Sequence, residues 1–351
     1  DGARCGVRIL EPGVKLYEEE GLHDVYHWVS IDLSQRSINS VPASPTFPMS
    51  AVPPIGHGIA SVGPDFKVDD QPGHLYVRNR EIWTTGAAVG ASFVYSHGDA
   101  KARIDRTHWS VDLIKADETT IPIQGINILP WDIDDDEPGV QAYTPRARPR
   151  HGPIVGDGIY RFTLTNPTGW KPTEKGWVRR YTVKESDDRS EMLHRTKAGE
   201  IGLESPLTIP LTPGNRISWA QNINDFHGAS DVISGMSIVV KDGVNMAADQ
   251  HGGSGDMARD GYYYDPCPRT VLALSEDGRT AYFLAVDGKP SNGAGVRFPR
   301  LGDFCIQRLD AHDAFNLDGG GSTVLWTERY GVVSKPSEGY VRSLIYSTIV
   351  W

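Results

Sequence analysis

A chain of 351 residues is long enough for one large domain or two ordinary ones, and it can bury a core without disulfide or metal staples. Its charged fraction of 23%, its hydrophobic fraction of 39% and the lack of any run near the roughly 20 apolar residues of a membrane helix describe a globular protein without a helical membrane span. A net charge of -10 excludes a broad nucleic-acid or anionic-membrane surface, which needs Lys and Arg in excess on one face, and leaves room only for a local basic pocket.

The chain opens at Asp1 without an initiator Met or a charged-then-apolar leader, as expected of a processed or trimmed chain. Residues 1–24 read as an N-terminal extension and residues 25–351 as the main domain. Asn166 is followed by Pro, so there is no glycosylation acceptor, which leans away from a glycosylated animal protein. Cys5, Cys267 and Cys305 are too few and too scattered for a metal framework of paired thiols, and they allow at most one disulfide.

Short β-type runs between Gly, Pro, Asn and Asp dominate the rest. Residues 25–33, 140–143, 159–164, 238–240 and 282–286 are rich in β-branched and aromatic side chains and each about one strand long. His23 and His27 have the spacing of metal ligands on a helix, but "HDVYHWVSIDL" alternates as a strand, where positions four apart lie about 13 Å apart along one face. Zinc is not expected there. "WDIDDDEPG" packs five carboxylates into residues 132–137; Glu137 stands where a calcium-hand loop needs Gly, so a solvated acidic loop is expected. No cofactor is required by any spacing. The metal question stays open, with a divalent cation such as calcium the one these oxygen-rich loops could take. The polar stretch near 165–198, with Pro and Gly and no steady period, reads as an insertion or long surface hairpin.

Farther on, "LALSEDGRTAYFLAV" predicts a hairpin turning at Asp277-Gly278, where positive φ is cheapest. "PRLGDFCIQRLDAHDA" sets Leu301, Phe304, Cys305, Arg308 and Leu309 at helical spacing. Then comes "AFNLDGGGSTVLW", which predicts a buried strand running into a glycine turn. Three glycines beside Asp318 let backbone N–H groups approach an anion or a sugar oxygen, because no Cβ intervenes. A β-bulge or tight corner uses the same residues. The phosphate loop of nucleotide triphosphatases is excluded, since Gly321 rather than Lys precedes Ser322. The fold class expected from these elements is α+β (mixed α/β) and strand-rich: mixed sheets with a few helices in a single large catalytic domain.

"CPRTVLALSEDGRTAYFLAVDGKPSNGAG", the helical segment and "DAFNLDGGGST" together resemble the signature region of the phosphodiester glycosidase family, the family of the enzyme that uncovers mannose-6-phosphate. Arg269, Asp287 with Gly288, and 316–323 fall in that family's order and at similar spacing. Weaker similarity extends over "VYHWVSIDLS", "GINILPWDIDDDEPGVQAYTP", "DVISGMSIVVKDG" and "GVVSKPSEGYVRSLIYS", so that residues 25–350 are covered, strongly only over 266–326. One departure stands out: where the family carries Asn-Gly before its aromatics, "ASVGPDFKV" has Gly63 and Pro64, with Asp65 and Phe66 retained.

The resemblance implies hydrolysis of a sugar joined through its anomeric oxygen to a phosphodiester. Phosphate is a good leaving group, so charge and position matter more than strong acid assistance. Arg269 is then the phosphate clamp, or else a buried ion-pair partner of Asp287 or Asp318. Asp318 is the leading catalytic carboxylate, or an Asx turn that caps the glycine loop. Asp287 is the second carboxylate, or the start of a turn. Gly319, Gly320, Gly321, Ser322 and Thr323 line the substrate cradle, joined by Asp65, His251 and Arg342. His251 belongs to a Gly-rich segment with Asp256 and Tyr262 to Tyr264, which reads as a lid over a sugar or as a plain connection.

The expected function is a secreted or surface-acting hydrolase that releases a sugar from a glycosyl phosphodiester or a related α-linked glycoside. Its expected partner is a carbohydrate or sugar-phosphate substrate and no nucleic acid. A plain glycosidase or transglycosidase on a phosphate-free glycan, and a non-catalytic carbohydrate-binding surface module, are the competing expectations.

Overall fold

The computed structural model describes residues 5–21, 24–42, 47–48, 58–63, 67–68, 71–86, 90–127, 139–144, 160–174, 176–185, 199–206, 208–226, 228–246, 265–288, 295–335, 340–341 and 346–350. It overturns the α+β expectation. Among the described residues the protein is nearly all β, 57% strand against 6% helix. Among the described residues the only α-helix is the one at 298–309, and the β-branched and aromatic runs described elsewhere extend as strands. The chain divides into two compact units, one of 1–74, 89–106 and 231–351, the other of 75–88 and 107–230.

The first unit is built on an eight-stranded sheet. Its strands are β1 (Cys5–Glu11), β2 (Val14–Glu20), β3 (Asp24–Asp32), β4 (Ile238–Lys241), β5 (Val244–Asn245), β6 (Arg269–Leu274), β7 (Thr280–Gly288) and β8 (Asp313–Asn316). They lie in the order β1-β2-β3-β7-β6-β8-β4-β5. The N-terminal residues 5–20 thus supply two strands of this sheet. β6 and β7 form the hairpin expected from the sequence, with Gly278 at φ +68° and the Asp277 carboxylate accepting from Ser275 and from the Arg279 N–H.

Alternation sends each strand's side chains to two different cores. Val29, Ile31, Leu272, Leu274, Phe283, Ala285 and Phe315 face inward, against a second sheet that includes 60–62, 325–327 and 346–350. Trp28, Val271, Ala273, Leu284, Val286 and Ala314 face the opposite way, beneath helix α1 (Phe298–Leu309). A Pro in its first turn preorganises α1, and Asp310 in the left-handed conformation ends it. The helix docks Phe298, Leu301, Phe304, Cys305 and Leu309, with Phe304 stacked on Tyr26 at 3.8 Å and edge-on to Trp28 at 5.5 Å. Each such aromatic buried in full contributes about 1.5–3 kcal/mol.

The register brings the signature motif together. Arg269 pairs with Val286, Gly288 with Asp24 and Val271 with Asn316, so the start of β6, the end of β7, the start of β3 and the end of β8 share one end of the sheet.

In the second unit the strands run in the order 160–165, 201–205, 140–143, 120–126, 109–114, 216–223 and 176–185, and pairing of 160–165 with 176–185 closes them into a barrel. The stretch read as an insertion therefore supplies Gly176–Glu185, a ten-residue strand of the barrel wall.

Candidate functional site

Arg269 opens β6 on the helix side of the sheet. Its side chain is fully buried: Nη2 donates to the Asp265 carbonyl at 3.0 Å, Nε to the Val296 carbonyl at 3.4 Å, and the guanidinium lies 4.3 Å from the centre of the Phe298 ring. The structure thus offers a fixed positive charge beneath the start of α1. Two residues earlier, Cys267 bridges Val296 through its backbone, and Gly295 is a glycine because a Cβ there would run into the Cys267 carbonyl.

Asp318 follows β8 and is half-buried. Its Oδ1 accepts from the Gly319 N–H at 2.9 Å, the Asx arrangement that competes with a catalytic role. Arg269 and Asp318 act on a common group. Burial raises the pKa of the Cys267 thiol; Arg269 opposes that rise, while Asp265 and then Asp318 reinforce it. The glycine turn itself is a short 3-10 element at Gly320–Ser322, with Gly320 at φ +58°. Most of its N–H groups are already used: Gly320 donates to the Pro268 carbonyl, Ser322 to Gly319 and Thr323 to Gly320. The cradle expected from three bare glycines is therefore largely a self-bonded corner that ties the turn to the Arg269 strand. Gly63 fits behind it, its N–H bonded to the Val324 carbonyl, and an added Cβ would come within 2.7 Å of the Ser322 carbonyl. That contact explains why an Asn is not accommodated there.

Asp287 lies one residue beyond the partner of Arg269 and so faces the inner side of the sheet. It is 2% exposed, and its Oδ2 lies 3.0 Å from His27 Nε2. Asp287 Oδ1, Thr270 Oγ1, Asn316 Oδ1 and Thr323 Oγ1 are buried polar atoms without a hydrogen-bond partner among the described residues. Buried orphans are few in folded proteins, and each calls for an explanation such as a ligand or a catalytic role. Here they gather where the motif strands end.

Asp65, His251 and Arg342, the acidic run 132–137 and Tyr262 to Tyr264 lie outside the described residues. Two further buried side chains stand at this end of the sheet, His27 and Asp24, and neither carries a local sequence signal beyond the strand alternation around it. Asp24, 1% exposed, accepts from the Tyr26 hydroxyl at 3.0 Å and pairs with Arg300 at 3.4 Å, and burial foremost raises the Tyr26 pKa. One group could hold a metal among the described residues: Asp242, His312 and Asp313. It sits at the opposite end of β8, and its Asp313 is already engaged by Lys241 at 3.3 Å and by the Asp242 N–H at 3.1 Å. No helix among the described residues is long and apolar enough to cross a membrane.

The three cysteines are free, Cys5 exposed and Cys305 buried, with burial pushing the Cys305 thiol up to about 12. The Cys267 environment gives a direct check on the site. The negative charge of Asp318 raises that thiol's pKa, so Asp318→Asn is expected to raise the thiolate fraction. Alkylation of Cys267 below its pKa, followed by mass spectrometry in a Cys5→Ser background, is expected to accelerate about threefold. An unchanged rate would mean that the carboxylate does not face the thiol.

Comparison with known proteins decides the lineage. A family model described as phosphodiester glycosidase matches residues 171–348, half of the chain. The chain belongs to the phosphodiester glycosidase family. Among solved structures, a hypothetical protein from Synechocystis superposes with a TM-score of 0.70 at 14% identity, covering all of this chain and 64% of the other. The chain thus spans less than two thirds of that protein's length. A candidate exported protein of Burkholderia pseudomallei gives 0.62 at 16% identity, over 95% of this chain and 74% of that one. At these identities the likeness concerns the fold. The catalytic domain of zebrafish N-acetylglucosamine-1-phosphodiester alpha-N-acetylglucosaminidase, auto-inhibited by its pro-peptide, aligns at 11% identity over 89% and 94% of the two chains with a TM-score of 0.30, too low to carry structural detail. No curated protein matches the chain.

Proposed function

We propose that this phosphodiester glycosidase family member hydrolyses the bond between the anomeric carbon of a sugar and a phosphodiester oxygen, outside the cytoplasm. The observation that carries the reading is the gathering of Arg269, Asp287, Asn316 and Asp318, with buried orphan acceptors and hydroxyls among them, at one end of the central sheet. Asp287 faces the inner side of the sheet and Asp318 lies in the turn just past the end of β8, so a substrate reached by both lies across the strand ends.

In this reading the bond from the anomeric carbon to the phosphate oxygen breaks with its electron pair going to the phosphate. Water supplies the new hydroxyl at that carbon and loses a proton to Asp287. Asp318 stabilises the positive charge that develops on the sugar ring. Arg269, held rigid by two backbone carbonyls, contributes its charge from beneath the glycine turn rather than by a direct grip on phosphate. Export is supported by the described relative from Burkholderia pseudomallei alone.

The test is substrate discrimination. The chain is expected to release sugar from a UDP-sugar or a methyl phosphodiester of a sugar and to leave nitrophenyl glycosides intact. Cleavage of the nitrophenyl glycosides alone would favour a plain glycosidase, and saccharide binding without turnover of either would favour a binding module.

A further inference from the structure

A row of polar groups crosses the inner face of the first unit's sheet at the end that carries the motif. The register places Glu18 of β2 beside His27 of β3, His27 beside Ala285 of β7, and Ala285 beside Thr270 of β6. His27 Nε2 is hydrogen-bonded to Asp287 Oδ2 at 3.0 Å, and His27 Nδ1 lies 3.3 Å from Glu18 Oε2, within ion-pair reach but without hydrogen-bond geometry. Burial grades along the row: the Glu18 side chain is 51% exposed, that of His27 7% and that of Asp287 3%. Beyond Ala285 the row reaches Thr270, whose hydroxyl, like Asp287 Oδ1, has no partner among the described residues. The residues next inward of this row on the same strands, Val29, Ile31, Phe283 and Leu272, are apolar.

A carboxylate enclosed to this degree needs a route by which protons come and go. An imidazole with a carboxylate oxygen at each nitrogen provides one, because it takes a proton at one nitrogen while releasing another from the other. We propose that Glu18, His27 and Asp287 form a proton relay between solvent and the buried carboxylate, with His27 as its positioning and transfer residue. The proposal rests on the hydrolase reading for its direction. Hydrolysis leaves one water-derived proton on Asp287; that proton passes from Oδ2 to His27 Nε2, a second leaves Nδ1 for Glu18 once the half-exposed Glu18 side chain turns to accept it, and Glu18 releases it to solvent. No electrons change hands.

The relay is tested in the full chain by following the His27 ring nitrogens by NMR in the wild type, Glu18→Gln and Asp287→Asn. Glu18 and Asp287 face the ring from the strands on either side. Removing either carboxylate is expected to move the resonance of the ring nitrogen facing it, Nδ1 in Glu18→Gln and Nε2 in Asp287→Asn. A resonance unmoved in either variant overturns the relay, whether or not the chain turns over a substrate. On a UDP-sugar, His27→Gln keeps an N–H to hold Asp287 but cannot pass a proton. It is expected to lower kcat by roughly 100-fold with KM little changed, and His27→Ala is expected to regain part of its activity with added imidazole. Unchanged kcat in His27→Gln overturns the relay and leaves the hydrolase reading standing. Ring resonances that respond to both substitutions in a chain that does not turn over phosphodiesters remove the hydrolase reading and leave the linked groups established.

Discussion

Replacing Asp318 with Asn is expected to lower kcat on a glycosyl phosphodiester by about 10^3-fold while leaving KM and thermal stability close to those of the parent. The substitution separates the two roles open to this residue. Asn keeps a side-chain oxygen to accept the Gly319 N–H, so the Asx turn and the 3-10 corner behind it persist. What it removes is the charge, which a positive centre on the sugar ring would need. Asp318→Ala removes both and is expected to cost in addition about 1 kcal/mol of stability, the usual worth of such a hydrogen bond. Steady-state kinetics beside a thermal melt distinguishes the cases. A kcat within threefold of the parent in the Asn variant would reduce Asp318 to a turn-former.

Arg269→Ala is expected to destabilise the protein by roughly 3–5 kcal/mol, from the cavity left by a large buried side chain and the hydrogen bonds lost with it. The cause is local. Arg269 heads the largest fully buried side chains, and its guanidinium satisfies the carbonyls of Asp265 and Val296 while covering the Phe298 ring. Removing it leaves a cavity under the first turn of α1 and two carbonyls short of a donor. Arg269→Lys preserves the charge but not the planar fork, since an ammonium cannot span both carbonyls in that geometry. It is expected to recover part of the stability and little of the activity. Urea denaturation of the three proteins measures the first effect. A loss below about 1 kcal/mol in the Ala variant would contradict the buried positioning role.

The sequence made much of this local structure readable because the signals are local. β-branched runs marked the strands at 140–143, 238–241 and 280–288, Asp277-Gly278 marked the hairpin, and the spacing of Leu301, Phe304, Cys305 and Leu309 marked α1. The sequence located the glycine turn and left cradle and tight corner both open; that its N–H groups are spent on Pro268 and on one another depends on how the turn docks against β6. The opposite orientation of Arg269 and Asp287 was written in the hairpin, since a turn at 277–278 pairs 269 with 286 and alternation sends 287 to the other face. The pairing of Asp287 with His27 was not, because 260 residues separate them and nothing in either segment states that β3 lies beside β7. The α+β expectation went wrong by treating one well-marked helix as a sample of more, and closure of 109–223 into a barrel depends on long-range pairings that no local pattern specifies.

The account stands on a substrate lying across the end of the sheet where β6, β7 and β8 carry Arg269, Asp287 and Asn316. A crystal structure of the Asp318→Asn protein with a sugar 1-phosphate tests this most directly. The sugar is predicted at the strand ends, its anomeric carbon beside residue 318 and its hydroxyls or phosphate meeting Thr270, Asn316 or Thr323. A sugar phosphate bound in the barrel of 107–230 with the strand ends empty would contradict it.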